Sequence, residues 1–182
     1  MKYLRCILLV LAAVVCGSQE TSGQVAVKSN LLYDAFLNVN VGVEVKVERR
    51  WSVDIMFDYN NWTLSHGRRW RHWIVQPEGR LWLGEALEGG FFAGHLFGGQ
   101  FNVMFGDRGR WQGPAVGFGA GFGWAWRLGS RWSLEAELAL GYARYFYDKY
   151  ECGSCGQKIA HRTRNYFGPT KAALSVVFLI DD

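Results

Sequence analysis

Val39, Val41, Val43, Val45 and Val47 alternate with Asn40, Gly42, Glu44 and Lys46, a period of two without a slip. Strict alternation sends successive side chains to opposite faces of an extended chain, so this stretch reads as a strand with one wholly apolar face. The next run repeats it, setting Trp51, Val53, Ile55, Phe57 and Tyr59 against Ser52, Asp54, Met56 and Asp58. Residues 116–128 place Val116, Phe118, Ala120, Phe122, Trp124, Trp126 and Leu128 opposite Gly117, Gly119, Gly121, Gly123, Ala125 and Arg127. Large residues take one face there and tiny ones the other. Five less regular segments, Val25 to Tyr33, Trp73 to Leu83, Phe91 to Phe101, Trp132 to Phe146 and Tyr166 to Ile180, complete a set of eight strands. An even number is what a closed antiparallel barrel requires.

The connections sort into two classes. The odd ones fall near Ala35 to Asn38, Asn60 to His72, Met104 to Trp111 and Tyr147 to Asn165, and three of these four are long. The even ones, Glu48 to Arg50, Gly84 to Gly90 and Gly129 to Arg131, are short. Outer-membrane barrels show this asymmetry, with short turns on the periplasmic side and long loops outside. Aromatic residues gather at both ends. Trp51, Trp82, Phe91, Trp126 and Trp132 stand near the short turns, and Tyr33, Tyr59, Trp73, Phe101, Tyr145 and Tyr166 near the long loops, as two interfacial girdles would.

Volume decides which face points outward. The interior of an eight-stranded barrel is just wide enough for side chains to fill, so rows of Trp, Phe, Leu and Val from every strand would overpack it. A soluble, lipocalin-like barrel with the apolar face inside is therefore disfavoured, and the expected fold is all-β, a closed eight-stranded antiparallel up-and-down transmembrane β-barrel. Its inward set is Lys28, Glu44, Lys46, Glu48, Asp54, Gln76, Glu78, Arg80, His95, Arg127, Glu135, Glu137 and Lys171. Charges in so narrow a lumen must be paired. A cross-linked polar plug is expected, not an open channel.

Composition fits a barrel wall, with nine Trp, eight Tyr and twelve Phe beside twenty-three Gly and three Pro. At 182 residues there is room for one domain. Lys2 and Arg5, the apolar stretch Ile7 to Val15 and the small residues Thr21-Ser22-Gly23 read as a signal peptide over 1–23, which leaves 24–182 for the barrel. Cys16 follows the bulky Val15, which argues against lipidation. Removing Lys2, Arg5 and Glu20 with that segment takes the formal charge from +4 to +3, too weak a bias to suggest nucleic acid as a partner.

Few residues suggest chemistry. Cys152 and Cys155 fall in the last long loop, where an exported chain favours a local disulfide. Zinc would need about four ligands, and only His161 lies near. His95 with Glu78 and Arg80 suggests a hydrolytic set such as outer-membrane lipid hydrolases use, with Ser133 and Ser175 as inward hydroxyls at unknown distance. A hydrogen-bonded lumen histidine is the simpler role. Arg68-Arg69-Trp70-Arg71-His72-Trp73 mixes cations and aromatics as an anchor at the headgroup interface does. The glycines from 117 to 123 alternate with bulky residues and precede no helix, so they form no phosphate loop. No catalytic residue, metal or other cofactor is expected.

The blocks Lys28-Ser-Asn-Leu-Leu-Tyr-Asp34, Arg50-Trp51, His72-Trp-Ile-Val-Gln-Pro-Glu78, Gly98-Gly-Gln100, Tyr150-Glu-Cys-Gly-Ser-Cys-Gly156 and Asn165-Tyr-Phe-Gly-Pro-Thr-Lys171 together resemble a domain-of-unknown-function family of small outer-membrane barrel proteins. The resemblance covers nearly all of the mature chain. It implies an exported eight-stranded barrel, often encoded near genes for surface fimbriae, and no known activity. The end Phe178-Leu-Ile-Asp-Asp182 departs from outer-membrane barrels generally, because it lacks the terminal aromatic that assembly machinery reads. The expected function is therefore non-enzymatic, a structural, anchoring or cell-surface role in a bacterial outer membrane. Membrane lipid is the expected partner, with surface or fimbrial proteins as candidates. The alternatives are a lipid-modifying hydrolase using His95 and a soluble periplasmic ligand-binding barrel.

Overall fold

The computed structural model describes residues 24–64, 68–104, 109–151 and 156–180. The expected signal segment, 1–23, lies outside the described residues. Eight strands form: β1 Val25–Asn30, β2 Val39–Glu48, β3 Trp51–Leu64, β4 Arg68–Trp82, β5 Gly89–Met104, β6 Arg110–Arg127, β7 Trp132–Tyr150 and β8 Lys158–Leu179. One short helix, α1 Leu31–Ala35, joins β1 to β2. Each strand pairs antiparallel with the next, and β8 returns to β1 in a register running from Ala26↔Leu179 to Asn30↔Ser175. The sheet is thereby closed into the up-and-down barrel that the alternation predicts. Among the described residues no helix is long and apolar enough to cross a membrane.

The alternation also predicts the faces. Val43, Ile55, Phe118 and Trp124 point away from the barrel axis and are exposed, while Glu44 and Asp54 point inward and are buried. Neighbours on β7 show the contrast best, for Leu138 is 71% exposed and Ala139 only 3%. Small inward residues on β6 make room for side chains from the neighbouring strand β5. A Cβ at Gly119 would stand 2.7 Å from the His95 ring, and one at Gly123 would strike Phe91.

Three expectations are corrected. The first strand ends at Asn30, not Tyr33, because the Asn30 side chain accepts a hydrogen bond from the Leu32 amide at 3.1 Å and caps α1. The long odd connections are shorter than expected, since the ladder continues through polar sequence. Asn60↔His72 and Trp62↔Trp70 pair, and β7 and β8 stay paired out to Tyr150↔Lys158. A strand ends where its hydrogen bonds end, and a two-sided polar strand can keep them. The third correction concerns the girdles. Trp82 and Phe91 carry the parity of Arg80 and Ala93, so they point inward and are fully buried. Their rings pack at 4.6 Å beside Ala26, Leu87, Ala93, Val177 and Leu179. This apolar plug closes the short-turn end of the lumen. Phe101, Tyr145 and Tyr166 share the inward parity as well.

Candidate functional site

Above the apolar plug lies a buried ionic network built from six strands, β1 to β4, β7 and β8. Arg80, on β4, is its centre. Its Nε donates to Glu78 at 2.6 Å, Nη1 to Glu44 at 3.0 Å and Glu135 at 2.8 Å, and Nη2 to Glu137 at 2.9 Å and Asp54 at 3.4 Å. One guanidinium therefore touches five carboxylates, which its planar fork of donors permits and an ammonium would not. Its cationic carbon also sits 4.4 Å above the Phe91 ring, tying the network to the plug below.

Two lysines complete the set. Lys28 pairs with Glu44, with Glu135 at 3.4 Å and with Asp54 at 3.7 Å. Lys171 holds Glu78 at 2.6 Å and Glu137 at 2.9 Å. Ser52 donates to Glu44 and accepts from the Trp82 indole at 2.8 Å. All of these ionic side chains are 3% exposed or less. The period-two register explains the assembly, because inward positions at one height on neighbouring strands stand directly opposite one another, as Glu44↔Asp54 and Asp54↔Glu78 do.

Nine of the thirteen residues expected to face inward meet here: Lys28, Glu44, Asp54, Glu78, Arg80, His95, Glu135, Glu137 and Lys171; Gln76 is buried as well, outside the network. Lys46 and Arg127 do not join it. They lie at the short-turn rim, where Lys46 reaches Glu85 at 3.1 Å and Arg127 reaches Glu88 at 3.4 Å. Glu48 is exposed at the same rim. The inward parity there leads past the end of the lumen, which Trp82 and Phe91 already fill. Cys152 and Cys155 lie outside the described residues.

His95 stands just above the network. Its Nε2 is 3.1 Å from Thr170 Oγ1, and its Nδ1 is 3.6 Å from Glu78 Oε2. The hydroxyl beside it belongs to neither Ser133 nor Ser175. A β-bulge between Ala139↔Lys171 and Leu140↔Pro169 inserts Thr170 as an unpaired residue and re-aims its side chain. Gly119 opposite leaves the space, since a Cβ there would strike Thr170 Oγ1. Sequence alternation had no means of finding Thr170, although Gly168-Pro169 before it is a signal of an interrupted strand.

Two chemistries can be weighed on this geometry. Thr170, His95 and Glu78 stand in the order of nucleophile, base and carboxylate. Yet the His95 side chain is fully buried, and neither His95 nor Thr170 lines the cavity beside Trp73, Val75 and Leu96 or the one beside Phe101, Trp111 and Tyr145. Glu78, His95 and Glu137 also bring one ligand atom each within 4.8 Å of one another. The Lys171 ammonium already bridges the two carboxylates, so a metal ion would have to displace it.

A family model described as a protein of unknown function (DUF3575) matches residues 6–180. No curated protein and no solved structure matches the chain.

Proposed function

We propose, for a chain that belongs to the DUF3575 family, a non-enzymatic outer-membrane barrel whose work is structural: it anchors surface-exposed hairpins on a rigid pin through the bilayer. The observation that carries this reading is the outward apolar belt. Trp51, Trp126 and Trp132 ring one end of it and Tyr59, Trp73 and Phe167 the other, all of them exposed. From Trp51 to Tyr59 the chain takes eight steps. At about 3.4 Å per residue and a tilt of about 40° these rise about 20 Å, close to the ~25 Å apolar band of such barrels. A soluble protein would expose this belt to water at great cost. The paired lumen supports the same reading, because it fills the barrel with cross-strand ion pairs.

On this reading the long hairpins β3–β4, β5–β6 and β7–β8 project outside the cell and the short turns face the periplasm. The signal segment is removed on export. Cys152 and Cys155 form a local disulfide, which intact-mass measurement on freshly isolated membranes checks; two free thiols would refute it. Membrane fractionation with gel mobility before and after heating tests the main proposal. The folded chain should sediment with the outer membrane and migrate faster unheated, and recovery in the soluble periplasm would refute it.

The contact of Thr170 with His95 favours a second reading, a lipid hydrolase. Burial of the imidazole opposes it, since no ester carbonyl can approach. Mass spectrometry of lipid A and phospholipids from cells with wild type or His95→Ala separates the two. Unchanged lipids support the structural role, and an acyl loss that depends on His95 supports the hydrolase.

A further inference from the structure

Beyond the apolar belt the alternation inverts. On β5, Gln100 and Asn102 now face outward while Phe101 and Val103 face the barrel axis. On β6, Gln112 faces outward and Trp111 inward. On β7 and β8, Arg144, Thr163 and Asn165 face outward together with Phe146, whose ring Arg144 covers at 5.1 Å, while Tyr145, Tyr147 and Tyr166 face inward with Arg164. Within the belt the order is the reverse, apolar outward and charged inward. A wall that turns its polar face outward is built for water. Such a sheet normally covers its apolar face with a core. Here that face lines an open cavity of about 440 Å³.

The bowl is built from aromatic side chains that hold one another. Phe101 and Tyr145 meet edge to face at 5.8 Å, and Lys149 sits 6.0 Å over the Trp111 ring. Tyr147 and Tyr166 complete the rings, and Arg164 stands in the wall. Among the described residues no carboxylate pairs with Arg164. The volume falls within the range of about 300 to 1,000 Å³ in which small-molecule sites occur.

We propose that this bowl binds an acidic sugar, a ring bearing a carboxylate or phosphate at the end of a glycan. The chemistry of the lining selects it. Aromatic faces receive the C–H faces of a sugar ring, the phenols of Tyr145 and Tyr147 exchange hydrogen bonds with its hydroxyls, Tyr166, which donates to the Pro169 carbonyl at 3.3 Å, accepts one, and the Arg164 guanidinium pairs with the acid group. Charge selects it too. Beyond the belt the described residues hold nine cations, among them Arg68, Arg69, Arg110, Arg144 and Arg162, against four carboxylates, Asp34, Asp58, Asp148 and Glu151. A surplus of five attracts anions and repels a cationic guest. A wholly apolar ligand would bury the Arg164 guanidinium and the phenols of Tyr145 and Tyr147 without partners. A single nucleic-acid strand binds along an extended groove, and this cavity is a bowl. The proposal uses the membrane reading only to say that the bowl opens outside the cell.

The test uses the mature chain refolded in detergent micelles, with gel mobility before and after heating to confirm the folded barrel. Titration calorimetry compares trigalacturonic acid with neutral galactotriose and with a hexamer of thymidylate. Saturable binding of trigalacturonic acid is expected, weakened about tenfold or more in Arg164→Gln and in Tyr166→Ala. Arg71→Gln, on the outward face, should bind as the wild type does. Absence of saturable binding in a folded barrel overturns the proposal, as does equal binding of galactotriose or tighter binding of the thymidylate hexamer. An equal loss in Arg71→Gln overturns it as well, because diffuse charge would then explain the effect. Failure to fold in micelles would count against the barrel itself and not against the bowl.

Discussion

Replacing Arg80 by Met tests whether the lumen is held by its ionic network. The native guanidinium lies within 3.4 Å of five carboxylates and is 1% exposed. Without it, only Lys28 and Lys171 remain to face Glu44, Asp54, Glu78, Glu135 and Glu137, all buried. Each close pair is worth several kcal/mol of gross attraction at an effective dielectric of about 20, but most of that gain offsets desolvation. Removing one partner leaves the desolvation cost uncompensated, and about 3 to 5 kcal/mol of stability should be lost. Arg80→Lys keeps the charge and loses the fork, so it should cost less, about 1 to 3 kcal/mol from donors and acceptors left unmet. Equilibrium unfolding in urea measures both, with the mature barrel refolded into lipid vesicles and followed by tryptophan fluorescence. An Arg80→Met protein within about 1 kcal/mol of the wild type, or one more stable than Arg80→Lys, would refute the reasoning.

Phe118 is outward and 56% exposed near the middle of the belt, so Phe118→Arg should cost about 2 to 4 kcal/mol in a bilayer, read as a fall in the heat-modifiable folded fraction; normal folding would place that face away from lipid. On the projecting β7–β8 hairpin, hydrogen bonds from Lys158 and His161, each at 2.7 Å, hold the Asp148 carboxyl below its usual range. A depressed carboxylate stabilises the hairpin above its unfolded pKa of 3.8 and loses that contribution as pH falls through the lower folded value. Amide exchange around residues 147–163 should therefore speed up below about pH 4, relative to the belt strands, in wild type but not in Asp148→Asn; identical profiles would refute the role of that ion pair.

Much of the fold was legible because a strand buried on one face has no freedom in its period. Val39 to Val47 and residues 116–128 show both faces outright. Ten of the thirteen inward residues are buried as the same parity requires, since a charge opposite a row of valines can only point inward. The errors have one physical origin: alternation specifies faces, not where along the barrel axis a residue sits. Lys46 and Arg127 have the right parity and stand beyond the end of the lumen, at the rim. Trp82 and Phe91 were placed in a girdle by their nearness to turns, although Arg80 on the same strand already directed Trp82 inward. Thr170 was hidden for another reason, because a bulge changes the parity of everything beyond it. The hairpin extensions were missed because polar strands resemble loops when only hydrophobic periodicity is counted.

Leu138 and Ala139 are adjacent on β7 and face opposite ways, so they offer the most direct test of which side of the wall meets lipid. Single cysteines at Val43, Ile55, Phe122, Leu138 and Ala139, in a background with Cys152 and Cys155 replaced by Ser, would be spin-labelled and reconstituted into lipid vesicles. Power saturation then compares collisions with oxygen, which concentrates in hydrocarbon, and with a nickel chelate confined to water. The account predicts high oxygen and low nickel accessibility at 43, 55, 122 and 138, and low accessibility to both, or failure to label, at 139. High nickel accessibility at the four outward positions would contradict it.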